Sequence, residues 1–234
     1  MKIGFISDAH GNEGAFISGL NILEKQGCDQ IIFLGDSIGY MPNRMVIDII
    51  RKNGLLAILG NHEAMLLSGK LYKNEEIYQL ARCHSLLNDS DLEAISNWPP
   101  ELNISTDGYD IWSMHGGPLD ITFGYVYPDS ALDVYQRPPK SVTIMGNTHL
   151  PFCRQSGNGA IFLNPGSCGL PRDCGHLGSI AILDTSSMKA HILRFDIKEA
   201  SNCALLASAP VHKSVIELFD RPKPSNLIGA IYEI

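Results

Sequence analysis

The chain has 234 residues, 44% hydrophobic and 18% charged, with a formal net charge of −7. That length supports one sizeable domain with its own core. The negative balance, without any block of Lys and Arg, speaks against a duplex nucleic-acid partner, and no apolar run is long enough to span a bilayer.

Residues 2–6 read as a short buried strand that hands Asp8 and His10 to a turn made by Gly11 and Asn12. Period two along an extended chain points both side chains the same way, and ligands of an open α/β sheet bind at the C-terminal ends of its strands. Residues 12–26 predict a helix with Phe16, Leu20 and Leu23 on one face, Asn12 as its cap and Gly27 at its end. A second strand over 30–34 ends in Gly35-Asp36. A second helix over 43–53 carries Met45, Val46, Ile49 and Ile50, and a third strand over 55–59 ends in Gly60-Asn61-His62-Glu63. This alternation predicts a parallel α/β sheet whose three strand ends converge on one edge.

Residues 64–100 predict a more polar helical insertion, with helices over 74–87 and 90–98 closed by Pro99-Pro100. A strand over 109–114 then ends in His115-Gly116-Gly117. An aromatic loop over 120–127 and a short helix over 129–136 follow, and a strand over 141–145 ends in Gly146-Asn147-Thr148-His149. Strands at 152–155, 160–163, 179–183 and 190–195, broken by Gly and Asn turns, predict a second, more antiparallel sheet. The tail over 196–234 predicts a helix over 211–219 and, beyond Arg221, a Pro-rich, loosely held stretch. With no internal repeat or linker, the expected organisation is a single domain over 1–234. Six scattered cysteines without a CxxC pair suit reduced thiols. The immediate entry into a strand predicts no signal peptide, so the expected location is cytoplasmic.

Asp8, His10, Asp36, Asn61, His62, His115 and His149 all stand at expected strand ends. Carboxylate, amide and imidazole ligands suit Mn²⁺, Fe, Zn²⁺, Ni²⁺ or Mg²⁺. More than four such groups are too many for one tetrahedral site and suit two cations bridged by a carboxylate, a device for displacement at phosphorus.

The ordered set Asp8-x-His10, Gly35-Asp36, Gly60-Asn61-His62-Glu63, His115 and Gly146-x-Thr148-His149 resembles the calcineurin-like metallophosphoesterases over about residues 2–185. Gly35-Asp36-Ser37-Ile38-Gly39-Tyr40-x-Pro42-Asn43, with Asn164-Pro165-Gly166-Ser167 and Pro171-Arg172-Asp173, is similar to the small single-domain bacterial-type phosphodiesterases. Gly39 and Tyr40 stand where protein phosphatases and dinucleoside tetraphosphatases carry Asp and Arg, which speaks against those two activities.

The resemblance implies a four-layer α/β/β/α sandwich and two divalent metal ions, Mn²⁺ foremost. Asp8, His10, Asp36 and His149 would hold the first. Asp36 would bridge to a second, also held by Asn61 and His115. His62 would be the catalytic residue, a general acid or a stabiliser of phosphoryl charge. Asn147 occupies a position where the family usually has His, an altered ligand for the second metal. Arg172 is a candidate substrate contact through its planar donor fork, with an ion pair to Asp173 as the alternative. Glu63 reads as a turn support. Phe123, Tyr125 and Tyr127 suit either a pocket wall or core packing. The expected reaction is metal-dependent hydrolysis of a small-molecule phosphoester, a diester preferred. Two other readings stay open: a phosphomonoesterase acting on a small metabolite or nucleotide, and a weakly active metal-binding scaffold. Oligomeric state is not legible.

Overall fold

The computed structural model describes residues 1–69 and 74–222, and the backbone of 232–233. The Pro-rich stretch expected to be loosely held lies, from 223 on, outside the described residues apart from those two.

Strand β1 (Lys2–Ile6) sits near the middle of a six-stranded sheet. Helix α1 (Glu13–Lys25) follows it, capped by the Asn12 side chain, which accepts from the Ala15 N–H. Strands β2 (Gln30–Phe33) and β3 (Leu56–Ala57) lie parallel to β1, with helix α2 (Met45–Lys52) between them in sequence. The three strand ends meet at one edge, as the alternation predicts.

The expected helical stretch is present but broken differently. It runs as α3 (Asn61–Ser68), α4 (Glu75–Tyr78), α5 (Leu80–Leu86) and α6 (Asp89–Ser96). The helix predicted over 74–87 is interrupted by Gln79, whose φ of 54° is left-handed. No propensity signal marks that residue.

The second sheet has five strands, in the order β4 (Glu101–Thr106), β5 (Tyr109–Met114), β6 (Ser141–Ile144), β8 (Ile161–Asn164) and β7 (Phe152–Gln155). Its β5, β6 and β8 are parallel, so it is less antiparallel than the sequence suggests. Strands β9 (Leu177–Asp184) and β10 (Lys189–Asp196) do not join it. They form a hairpin whose β9 pairs antiparallel with β1 in the first sheet. Strand β11 (Tyr232–Glu233) pairs with β10. Helix α7 (Lys198–Ala207), not expected from the sequence, packs on α1, and α8 (Lys213–Phe219) lies where the sequence predicts a helix.

Strand alternation sorts side chains between two cores. Ile3, Phe5, Val142, Ile144, Ile161, Leu163, Ala181 and Leu183 fill the space between the sheets. Ile6, Ile180 and Ile182 face Phe16, Leu20 and Leu23 of α1 on the outer side. The outer face of the second sheet carries Met114, Met145 and Phe162. Its cover is thin, a loop and one 3-10 turn (Leu132–Tyr135) in place of the helix expected over 129–136. The whole is the expected four-layer α/β/β/α sandwich, with both sheets sending strand ends to one edge.

Candidate active site

Asp8 and His10 lie beyond the last residue of β1, so strand period is not what aligns them. Both have left-handed backbones, with φ of 54° and 47°. Asp36, Asn147 and His149 share that conformation, at 61°, 65° and 59°. A left-handed backbone is uncommon outside Gly and is held only where surrounding structure over-determines it. Here the loops after β1 and β2 stitch to each other, Asp8 N–H to the Gly35 carbonyl at 3.0 Å and His10 N–H to the Asp36 carbonyl at 3.0 Å. The Asn164–Ser167 turn supports them: the Ser167 hydroxyl donates to the Asp8 carbonyl at 2.7 Å, and the Asn164 amide to the Gly146 carbonyl at 2.8 Å.

Glu63 is fully buried and is the busiest support. Its carboxylate accepts from the backbone N–H groups of Asp36, Ser37 and Gly60 at 2.9, 2.6 and 3.1 Å, and from the Ser37 hydroxyl at 2.7 Å. It thereby caps α3 and fixes the turn that presents Asp36. That is the support role expected from the sequence.

The predicted site residues Asp8, His10, Asp36, Asn61, His62, His115, Asn147 and His149 come together in one buried cluster. In three of the rings Nδ1 meets a backbone carbonyl: His10 with Ile38 at 2.9 Å, His115 with Leu34 at 2.7 Å, His149 with Leu170 at 2.6 Å. A carbonyl only accepts, so Nδ1 carries a proton and Nε2 points inward, with a lone pair on it in the neutral rings of His10 and His149. His10 Nε2 and His149 Nε2 stand 3.1 Å apart. His149 Nε2 lies 3.3 Å from Asp8 Oδ1, a buried oxygen with no hydrogen-bond partner among the described residues. Asp36 Oδ2 is 3.6 Å from His10 Nε2 and 3.8 Å from His62 Nε2, and Asp36 Oδ1 is 3.5 Å from His115 Nε2. The Asn61 side-chain amide stands 2.9 Å from His115 Nε2 and 2.9 and 3.2 Å from the Asp36 oxygens, turned so that its NH2 group donates to them in the protein without metal. Lone pairs converging in a dry space repel unless a cation lies among them. The donor set therefore fits divalent metal, and three overlapping groups of ligand atoms within 4.8 Å offer it: Asp8, His10 and His149; His10, Asp36 and His62; and Asp8, Asp36 and His115.

Asn147 donates its backbone N–H to Asp8 Oδ2 at 3.2 Å and its amide N–H to the Gly124 carbonyl at 2.8 Å. Arg172 lies at the rim, its guanidinium donating to the Tyr40 hydroxyl at 3.0 Å. It does not pair with Asp173, which is held by Arg194 at 2.6 Å. His62 lies among rings: His10 at 4.9 Å, Tyr40 at 5.0 Å and Tyr78 at 4.8 Å between centroids. Tyr40 and Tyr78 are site residues that sequence reasoning misses. Only the departure at Tyr40 from the protein-phosphatase pattern points at the first, and no local signal marks the second. Phe123, Tyr125 and Tyr127 are 43%, 49% and 44% exposed, which rules out core packing for them. His176 stacks on Phe219.

Burial sets the charge states in the protein without metal. It pushes His10 down to about 3 and His62 to about 4, and His149 well below its usual value. It pushes Asp8 up. For Asp36 burial works upward too, but the His115 and His62 rings outweigh it and hold the carboxyl far below its ordinary range. His115 mirrors this: burial alone would lower it, and the Asp36 carboxylate raises it to about 10. A proton on His115 takes the place of a cation.

A stability profile follows for chelator-stripped protein. Unfolded, the rings of His10, His62 and His149 protonate near pH 6.5; folded, His10 and His62 resist until about pH 3 and about pH 4, and His149 until well below its ordinary value. Below pH 6.5 the unfolded chain binds more protons, so stability falls with falling pH. Asp8 and Glu63, both raised by burial, act oppositely and offset part of this. The contribution of His115 is complete below pH 6.5 and is lost as pH rises towards 10. Thermal midpoints from pH 4 to 10 are expected to peak near pH 6.5. A midpoint still rising below pH 6 contradicts the neutral state of these rings.

The model of the calcineurin-like phosphoesterase superfamily domain matches residues 1–188. The chain belongs to that superfamily. It is a metal-dependent phosphoesterase, as the motifs indicate. An uncharacterised protein of Methanocaldococcus jannaschii is 28% identical over 219 residues, covering 85% of this chain and 89% of that one. A metallophosphoesterase structure from Sphaerobacter thermophilus superposes with a TM-score of 0.77 at 23% identity, over 94% of this chain and 99% of that one. An archaeal phosphodiesterase structure does so with a TM-score of 0.51 at 16% identity, over 83% of this chain and all (100%) of the other. These superpositions bear on the fold. No helix among the described residues is long and apolar enough to cross a membrane.

Proposed function

We propose that the protein hydrolyses small-molecule phosphodiesters with two divalent cations, Mn²⁺ foremost. The observation that carries this is the buried convergence of the His10, His115 and His149 Nε2 atoms with the Asp8 and Asp36 carboxylates. Asp8, His10, Asp36 and His149 would hold the first cation; Asp36, Asn61 and His115, with the Asn147 carbonyl oxygen, would hold the second. Two neutral amides in that second set favour the harder Mn²⁺ or Mg²⁺. When bound, such cations polarise phosphoryl oxygens and lower the pKa of a water nucleophile. The chain's own residues orient and neutralise. Arg172 sets its guanidinium at the rim as a fork for a phosphoryl oxygen. His62 is neutral before substrate arrives; beside the phosphate anion it would take up a proton from water and either pass it to the leaving oxygen, returning to the neutral ring, or hold it in a hydrogen bond to a phosphoryl oxygen. Arg172 is the guanidinium whose charge reaches Asp8, His10, His62 and His149. One such charge reaching the cluster among the described residues suits a diester monoanion better than a monoester dianion. Similarity in fold to an archaeal phosphodiesterase points the same way.

The test is hydrolysis of bis(4-nitrophenyl) phosphate and 4-nitrophenyl phosphate by chelator-stripped protein before and after Mn²⁺. Expected is turnover only with metal, with diester kcat/KM at least about tenfold above monoester. A faster monoester replaces this reading with the phosphomonoesterase. No turnover of either ester with Mn²⁺, Mg²⁺, Zn²⁺ or Ni²⁺ overturns it.

A further inference from the structure

We infer that the cleft beside His62 is a subsite for a planar aromatic group of the nucleobase kind, carried by the phosphoester. The inference rests on the hydrolysis proposed above and names the substrate class. The cleft has a volume of about 590 Å³, with Tyr40, Ile77, Tyr78, Arg172, Val215 and Leu218 in its lining. That is room for a small organic ligand, well beyond a bare phosphoryl group. It shares a wall with the metal-ligand cluster. Tyr40 and Tyr78 line it and also touch the His62 ring, at 5.0 and 4.8 Å. Arg172, the proposed phosphoryl contact, lines it too, so a phosphoester held at the cluster sets one substituent beside this space.

The aromatic wall is built in advance. The Tyr40 N–H donates to the Tyr78 carbonyl at 2.8 Å, and the Gln79 amide donates to the Tyr40 carbonyl at 3.0 Å. Arg172 adds the bond to the Tyr40 hydroxyl at 3.0 Å. Tyr40 and Gln79 both have left-handed backbones, at 61° and 54°. Such strain concentrates at ligand sites, and here it sets Tyr78 beside the Tyr40 ring, edge to face at 5.4 Å. Glu63 and the loop stitching already fix the metal ligands, so this second set of constraints serves the cleft.

A second pair of aromatic rings stands nearby, outside the lining of the cleft. Tyr125 and Tyr127 are stacked at 6.0 Å and stand about half exposed on a loop tied to the cluster by Asn147 at 2.8 Å. The hydroxyl of Tyr125 lies in the field of Arg172 and Tyr78. Exposed, pre-ordered rings offer π-faces on which a base stacks, and the guanidinium of Arg172 adds a planar cation. The cleft does not select a second anionic group. Glu217 opposes Arg172 and Arg221 in its lining, and Arg221 is turned to the Arg172 carbonyl.

The experiment uses the full chain loaded with Mn²⁺. Calorimetry compares adenosine 5′-monophosphate with ribose 5-phosphate, and kinetics compare their methyl diesters, in which the alkoxides are alike. Expected is binding at least about tenfold tighter for the nucleotide, falling to within about twofold of the sugar in Tyr78→Ala and retained in Tyr78→Phe. Should Tyr78→Ala fail to fold, the exposed Tyr125→Ala reads the same ratio and is expected to reduce it. Equal affinity for nucleotide and sugar phosphate, or none for either, overturns the subsite. Turnover of both diesters without a base preference leaves hydrolysis standing and removes the subsite. Preferential nucleotide binding without turnover does the reverse.

Discussion

Replacing Asp36 by Asn is expected to lower turnover by more than about 100-fold and to lower bound metal, while the protein stays folded. Outer-shell partners of a metal site typically cost about 10–100-fold when removed, and a carboxylate among the ligands themselves costs more. Asp36 stands between three rings, His10, His62 and His115, with oxygens at 3.6, 3.8 and 3.5 Å from their Nε2 atoms. The amide that Asp36→Asn introduces has nearly the same shape. Its carbonyl oxygen still accepts from the His62 backbone N–H, as Asp36 Oδ1 does at 2.9 Å, and Glu63 still holds the backbone at that position. What disappears is the charge, and with it the group that raises His115 to about 10. Metal is counted after stripping and reloading with Mn²⁺, alongside turnover and a thermal midpoint. A folded variant with wild-type metal content and full turnover would falsify the bridging role.

The ligand set is legible in the sequence because metal chemistry narrows the residue types and because each ligand falls in a short Gly-bearing turn after an apolar run. The parallel β1–β2–β3 core is legible for the same reason: short, unbroken apolar runs admit few other readings. Partnership is harder. The residues of β9 and β10 look like any strand pair, and nothing local says that β9 lies against β1 instead of β8. Strand β4 alternates Leu102 and Ile104 with Glu101, Asn103 and Ser105 on a half-exposed edge, too weak a stripe to stand out. Helix α7 meets α1 through small residues, an added Cβ on Gly14 reaching Ala200 at 3.0 Å, so a search for large apolar residues passes over it. The supporting shell is hidden for a different reason. Tyr40 and the Asn164–Ser167 turn fall within motifs of the resemblance, but what they support, and Tyr78 altogether, depends on approaches between segments far apart in the chain. The left-handed backbones of Asp8 and His10 show the limit plainly: the pair is legible, but strand period is not what brings the two side chains together.

Removing the His62 ring is expected to cost about 10²–10⁴ in kcat, the usual span for a proton donor, without changing metal content. The backbone of His62 is committed to Asp36, at 2.9 Å, so His62→Ala leaves that contact in place. The ring's own position is enforced from the other side. Gly39 has a φ of 94°, and a Cβ there would lie 2.0 Å from His62 Nδ1. The chain keeps Gly at 39 so that the ring can lie against the backbone, between Tyr40 and His10. Burial pushes the ring down to about 4, so at neutral pH it is an uncharged donor whose proton affinity rises only beside a phosphate anion. This gives a discriminating readout. A donor to the leaving oxygen matters most when that oxygen leaves as a poor alkoxide, so His62→Ala should depress hydrolysis of a methyl diester far more than that of a nitrophenyl diester. Equal losses for the two esters assign His62 to charge on the phosphoryl oxygens. Unchanged kcat for both removes it from the chemistry, leaving the ring as packing between Tyr40 and Tyr78.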